Sequence, residues 1–330
     1  MSTPTIRSGR GLPLCCYGKL SIYKDFISLE SVKGAPEAFR TWMDKGFGTT
    51  WEDYGDAPIT VASPHRVLFA PSQHKDVVVA AIWDSHDADG LRKFPFAFFA
   101  GLPKKTARGL GNGVITGLSA VWQELESRYL ALENITDITG FYGSFRKSRV
   151  SLPPRRHAVI ARDSASRWGS VTVREVATAL FGDRCHERWA DLLSRLGAAI
   201  SYAKKTADLA LRLPLASSVD GALQIEMWLR FLRRNLRRKR AVPTLCFPQE
   251  GRNGNTAFSI LWRNPRTEDV CLLGDRASEY EHVEDLTDAS AAGSGDDSIG
   301  PDIATMSAEL FEENRSISEF AELILPRSGR

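Results

Sequence analysis

The sequence predicts an α+β protein of two units, each a mainly antiparallel sheet packed with helices, followed by an acidic C-terminal tail. Three observations carry this. Near-continuous apolar runs at 77–82 and 94–102, bounded by turn residues, predict strands buried on both faces. Helical-period segments fall between groups of strands instead of alternating with each strand in turn. A stretch rich in Gly, Ser, Arg and Pro at 141–170 divides the 330 residues into a 14–140 unit and a 171–288 unit, a length that suits two domains. Residues 1–13 read as a disordered lead and 289–330 as a flexible acidic tail with short helix.

In chain order, Leu14 to Leu20 predicts a first strand and Lys24-Asp25 a turn. Pro36 suits a first helical turn, and Ala38, Phe39, Trp42, Met43 and Phe47 recur at helical spacing with Gly48 as the expected C-cap. Strands are expected at 66–70, 76–83 and 94–102, the last two as a hairpin. Residues 104–113 read as a loop, with Gly109, Gly111 and Gly113 spaced wrongly for a dinucleotide or phosphate loop. A long helix follows over 114–132, with Leu118, Val121, Trp122, Leu125 and Tyr129 on one face and Glu124–Arg128 at i,i+4. In the second unit, helices are expected at 187–202 and, capped by Asp220, at 222–240. Strands are expected at 209–215, 244–247, 257–262 and 270–273. Residues 306–325 predict one or two short acidic amphipathic helices that dock on the body or on a partner.

Charge is unevenly placed. From Glu279 to Glu322 there are 13 Asp/Glu and one Arg, a net of −12, while residues 1–278 carry +13. Five cysteines without CxxC pairing argue against a disulfide framework or a zinc site, so no cofactor is expected. The polar N-terminal stretch and the lack of a long apolar run predict a cytoplasmic location.

Candidate sites are few. Asp84, His86, Asp87 and Asp89 share one loop, which suits turn formation; a metal-dependent hydrolase is the alternative. Ser201-x-x-Lys204 lacks the companion motifs of the penicillin-binding fold, and no GxSxG occurs, so no enzyme is expected. Arg230, Arg233, Arg234, Arg237 and Arg238 share one helical face at about 100° per residue, opposite Ile225, Trp228, Leu229, Leu232 and Leu236. That stripe reads as a solvated face, as a site for an acidic partner or this chain's own tail, or as a nucleic-acid-binding module.

Tyr17-Gly18-Lys19-Leu20, Asp25-Phe26, the Phe39/Trp42/Gly46 helix and Gly90-x-Arg92-x-Phe94-Pro95-Phe96 together resemble the TagF (ImpM) family over 15–103. The chain departs from the family pattern at Ser21, at Lys24, at Leu91, which intervenes before Arg92, and in the acidic 84–89 loop. The resemblance implies a cytoplasmic, non-enzymatic accessory protein of bacterial type VI secretion. Such a protein acts as a post-translational repressor by binding the forkhead-associated (Fha) scaffold protein. Within the resembling region Tyr17, Lys19, Asp25 and Arg92 are the candidate partner-binding residues, and the charge pattern of the later helix adds Arg230, Arg233, Arg234 and Arg237 as a second group. Asp25 and Arg92 are expected to pair and to orient the first strand against the hairpin.

Overall fold

The protein is described from a computed structural model covering residues 11–29, 33–53, 61, 64–152, 167–206, 208–238, 241–249, 256–274, 283–287 and 301–325. The expected linker at 289–300, Pro153-Pro154-Arg155-Arg156 and residues 1–10 lie outside these.

Alternation along strand β5 (Asp76–Trp83) sets the architecture. Val77, Val79, Ala81 and Trp83 enter one core, and Val78, Ala80 and Ile82 enter the other. Successive strand side chains point to opposite faces, so a strand apolar at every position must be covered twice. The fold is α+β, and its sheet is antiparallel except at one edge.

The two separate sheets expected from the sequence are halves of one. Nine strands run in the order β11-β8-β10-β9-β4-β5-β6-β2-β3. In chain order they are β2 (Cys15–Gly18), β3 (Ile27–Leu29), β4 (His65–Phe69), β5, β6 (Phe96–Pro103), β8 (Ala210–Leu215), β9 (Thr244–Pro248), β10 (Thr256–Leu261) and β11 (Glu284–Asp285). The join is β4 to β9, where Val67 faces Cys246 and Leu68 faces Leu245. The expected hairpin is present, with Val77 opposite Leu102 and Trp83 opposite Phe96. The parallel pair is β11 with β8.

One face carries helix α1 (Ala35–Asp53) and a 3-10 segment, Thr267–Leu273. Phe39, Trp42, Met43 and Phe47 are buried there as expected. The helix does not stop at Gly48 but runs to Asp53. Residues 270–273, expected as a strand, belong to the 3-10 segment, and the Trp42 indole N–H donates to the Arg266 carbonyl at its entry (2.7 Å). Gly46 permits this contact, because a Cβ there would sit 2.3 Å from Val270 Cγ1.

The other face carries the remaining helices. Residues 104–113 form helix α2 (Lys104–Leu110) and a 3-10 turn, not a loop. Helix α3 (Val114–Leu130) follows, and its Trp122 N–H donates to Ala80 O in the sheet (3.0 Å). Residues 141–170 are in part structured. Helix α4 (Ile138–Phe145) and strand β7 (Arg149–Val150) lie at its start, and β7 pairs with β1 (Leu12–Pro13), so the lead also contributes a strand. Helices α5 (Val173–Phe181), α6 (Cys185–Thr206) and α7 (Gly221–Asn235) complete the layer with α8 (Pro301–Glu312) and α9 (Ile317–Phe320). Asp220 caps α7 as expected, accepting from Leu223 N at 3.0 Å, but the helix ends at Asn235 instead of Arg240. Among the described residues no helix is long and apolar enough to cross a membrane.

Arg66 on β4 meets Glu126 on α3 with two hydrogen bonds, 2.7 and 3.0 Å, both side chains buried. Removing one partner strands a buried charge. Arg66→Leu is therefore expected to cost about 3–5 kcal/mol in urea unfolding, with the Arg66→Leu/Glu126→Leu pair recovering much of the loss.

Candidate functional site

The loop from β2 to β3 and the loop from β5 to β6 meet at one end of the sheet, and Asp87 lies between them. Its carboxylate is 1% exposed. Asp87 Oδ1 accepts from the backbone N–H groups of Leu91 (3.1 Å) and Arg92 (3.2 Å), while Oδ2 accepts from Arg92 Nε at 2.7 Å. Lys19 Nζ stands 3.9 Å from Oδ2. A buried carboxylate needs such donors, since leaving it unpaired in a poorly polar site is costly. Burial works to raise the Asp87 carboxyl, but the Arg92 side chain and the two backbone N–H groups outweigh it, holding it below its ordinary 3.8.

The same braces tie the two loops. Arg92 also donates to the Lys24 carbonyl, Ala88 N to Tyr23 O (3.1 Å), and Ser85 Oγ to Lys19 O (2.7 Å). Gly18 is needed at this crossing. Its φ is +136°, and a Cβ would lie 2.1 Å from the Pro95 carbonyl oxygen. The Tyr17-Gly18-Lys19 and Phe94-Pro95 segments therefore specify each other.

An aromatic trio fills the junction. Tyr17 stacks on Phe26 at 5.3 Å, and Phe94 meets both rings edge-on. The Tyr17 hydroxyl donates to Asp44 Oδ1 on α1 (2.7 Å), and burial with that bond pushes its pKa up. Lys19 Nζ lies 4.5 Å from the Phe26 ring centre. Burial lowers the Lys19 ammonium, Arg92 lowers it further, and the Asp87 and Asp25 carboxylates oppose them.

The expected partner-binding residues thus separate. Tyr17 and Lys19 are buried and act as architecture. Asp25 does not pair with Arg92; its Oδ1 accepts from Phe26 N (2.8 Å), and Arg92 takes Asp87 instead. The pairing follows the tight turn, which sets the Asp87 carboxylate against the N–H groups four and five residues on. Arg92 remains accessible, with 56% of its side chain exposed. Leu91 (80%), Tyr23 and Phe26 are large apolar side chains left exposed on these two loops, and no periodic or motif signal in the sequence marks them for contact.

The acidic loop offers little to a metal. Asp87 is turned inward onto its donors, and the described residues hold no cluster of three or more ligating side chains.

The arginine stripe is also divided. Arg233 is buried and donates to Asn112 Oδ1 (2.8 Å) and to Ala241 O; burial pushes its pKa down to about 10. Arg230 and Arg234 both hold Glu322, and Arg238 donates to Trp262 O. Arg237 lies beyond the helix with φ +56°, off the helical wheel.

No known family profile matches the chain, and no curated protein does. Among solved structures it is similar to PA0076 from Pseudomonas aeruginosa PAO1 at 25% identity and TM-score 0.34. The match takes in 43% of this chain and 64% of that one, less than two thirds of its length.

Because the folded Asp87 pKa is depressed, its stabilisation is present above 3.8 and lost as pH falls through the lower folded value. Wild-type stability in urea is therefore expected to fall more steeply than that of Asp87→Asn, which starts lower, as the pH is taken below 3.8. Parallel curves for the two would refute the assignment.

Proposed function

We propose that this chain is a non-enzymatic, cytoplasmic accessory protein of bacterial type VI secretion. In this reading it binds the forkhead-associated scaffold protein and restrains assembly of the apparatus. One observation supports the reading above others. The motif segments around Tyr17-Gly18-Lys19 and Arg92-x-Phe94-Pro95, distant in sequence, form one braced unit in which Gly18, Asp87 and the aromatic trio depend on each other. Such a unit holds exposed side chains in a fixed arrangement, which lowers the ordering cost of binding a partner. Exposed aromatic and arginine side chains together suit a protein contact.

The reading is tested with purified full-length chain and the scaffold protein of the same bacterium. Binding is expected, and Leu91→Asp, whose side chain is 80% exposed, is expected to weaken it about tenfold or more, the equivalent of about 1.4 kcal/mol. Absence of binding, or equal binding by both chains, overturns the reading. Tyr17, Lys19 and Arg92 variants are unsuitable here because they act through the fold.

A further inference from the structure

The acidic end of the chain is seated on helix α7 in the manner of a bound peptide. Three kinds of recognition meet there. Phe320 is fully buried among Trp189, Trp228 and Phe231, with the Phe231 ring parallel at 4.8 Å. Glu322, two residues on, is held by both Arg230 and Arg234, the latter at 2.7 Å, and Arg230 lies over the Trp168 ring. The buried Asn235 amide reads the backbone in both senses, donating to Leu323 O (3.1 Å) and accepting from Leu325 N (2.9 Å). A ring pocket, a double arginine clamp and an amide on the main chain are elements by which proteins bind short peptide segments.

A second observation bears on what the seat accepts. The indole N–H groups of Trp168, Trp189 and Trp228 are buried and donate to no acceptor among the described residues. Buried donors normally find partners, and Phe320 brings none. The resident segment fills the seat without meeting its hydrogen-bonding capacity. It follows directly on α8, whose Leu310 and Phe311 are buried, and is fastened to the body where Val173 N bonds Arg315 O and Ile317 N bonds Val171 O, each at 2.9 Å.

We infer that the α7 face is a recognition site for a short segment of another protein in which one helical turn ends on an aromatic residue and a carboxylate follows two positions later in non-helical chain. Residues 316–325 occupy the site as a tethered competitor. A tether sets an effective concentration on the order of millimolar, so a free ligand must outcompete it. Loosening the resident segment opens the site to a ligand in trans. The inference is independent of the secretion reading, which concerns the opposite end of the sheet.

The probe is a fluorescein-labelled peptide of residues 314–326 titrated into the full chain. It is expected to bind the Glu322→Lys chain at least about tenfold more tightly than wild type. That gain is expected to vanish when Arg230→Ala and Arg234→Ala are added. Peptide binding is also expected to raise hydrogen exchange at the chain's own 317–325 amides. Glu322 is 41% exposed in its side chain, so Glu322→Lys leaves the core intact, and the milder Glu322→Gln is expected to move the same way. Equal affinity for wild type and both Glu322 variants, or no binding to any of them up to about 1 mM, overturns the inference.

Discussion

The buried carboxylate of Asp87 is the constraint on which this end of the protein depends. A charge at 1% exposure has no water to fall back on, so the chain around it must supply donors. It does so from two directions, the backbone of its own turn and the Arg92 guanidinium, while the Lys19 ammonium of the other loop adds a positive charge at 3.9 Å without a hydrogen bond. Arg92, once oriented by Asp87, reaches the Lys24 carbonyl and closes the two loops on each other. The Tyr17, Phe26 and Phe94 rings then pack beneath. Local turn chemistry therefore becomes a long-range fastening between segments far apart in sequence. The backbone carrying the exposed Leu91 and Arg92 side chains is fastened by it.

Much of the layering was legible in the sequence because periodicity reports burial directly. The apolar runs at 77–82 and 94–102 announced strands covered twice, and Phe39, Trp42, Met43 and Phe47 announced the helix that covers one side. What escaped was set by long-range pairing. Nothing in the period of 65–69 or 244–248 says that β4 and β9 are neighbours, so one sheet read as two. Glycine misled in two places. Gly46 and Gly48 lie inside α1, where Gly46 serves the close approach of Val270, and the glycines at 109–113 disguised a helix ending in a 3-10 turn. The 270–273 run is apolar because it is buried, and burial alone does not separate a strand from a 3-10 segment.

The candidate site was legible as a set of residues but not as a set of roles. A helical wheel treats five arginines alike. The fold sends Arg233 inward to Asn112, gives Arg230 and Arg234 to Glu322, and ends the helix before Arg237. In the same way Tyr17 and Lys19 are buried in the junction, while Leu91 and Arg92 on the facing loop are exposed. The opposition between basic body and acidic tail is partly resolved within the chain, where Glu322 meets Arg230 and Arg234.

Asp87 couples the two loops into one unit. Hydrogen exchange of the Asp87→Asn chain tests this most directly, because opening of a cooperative unit is shared by all its amides. Protection is expected to fall together across 20–26 and 85–94 while β5 and β6 keep theirs. Loss confined to 85–94, with 20–26 unchanged, would contradict it.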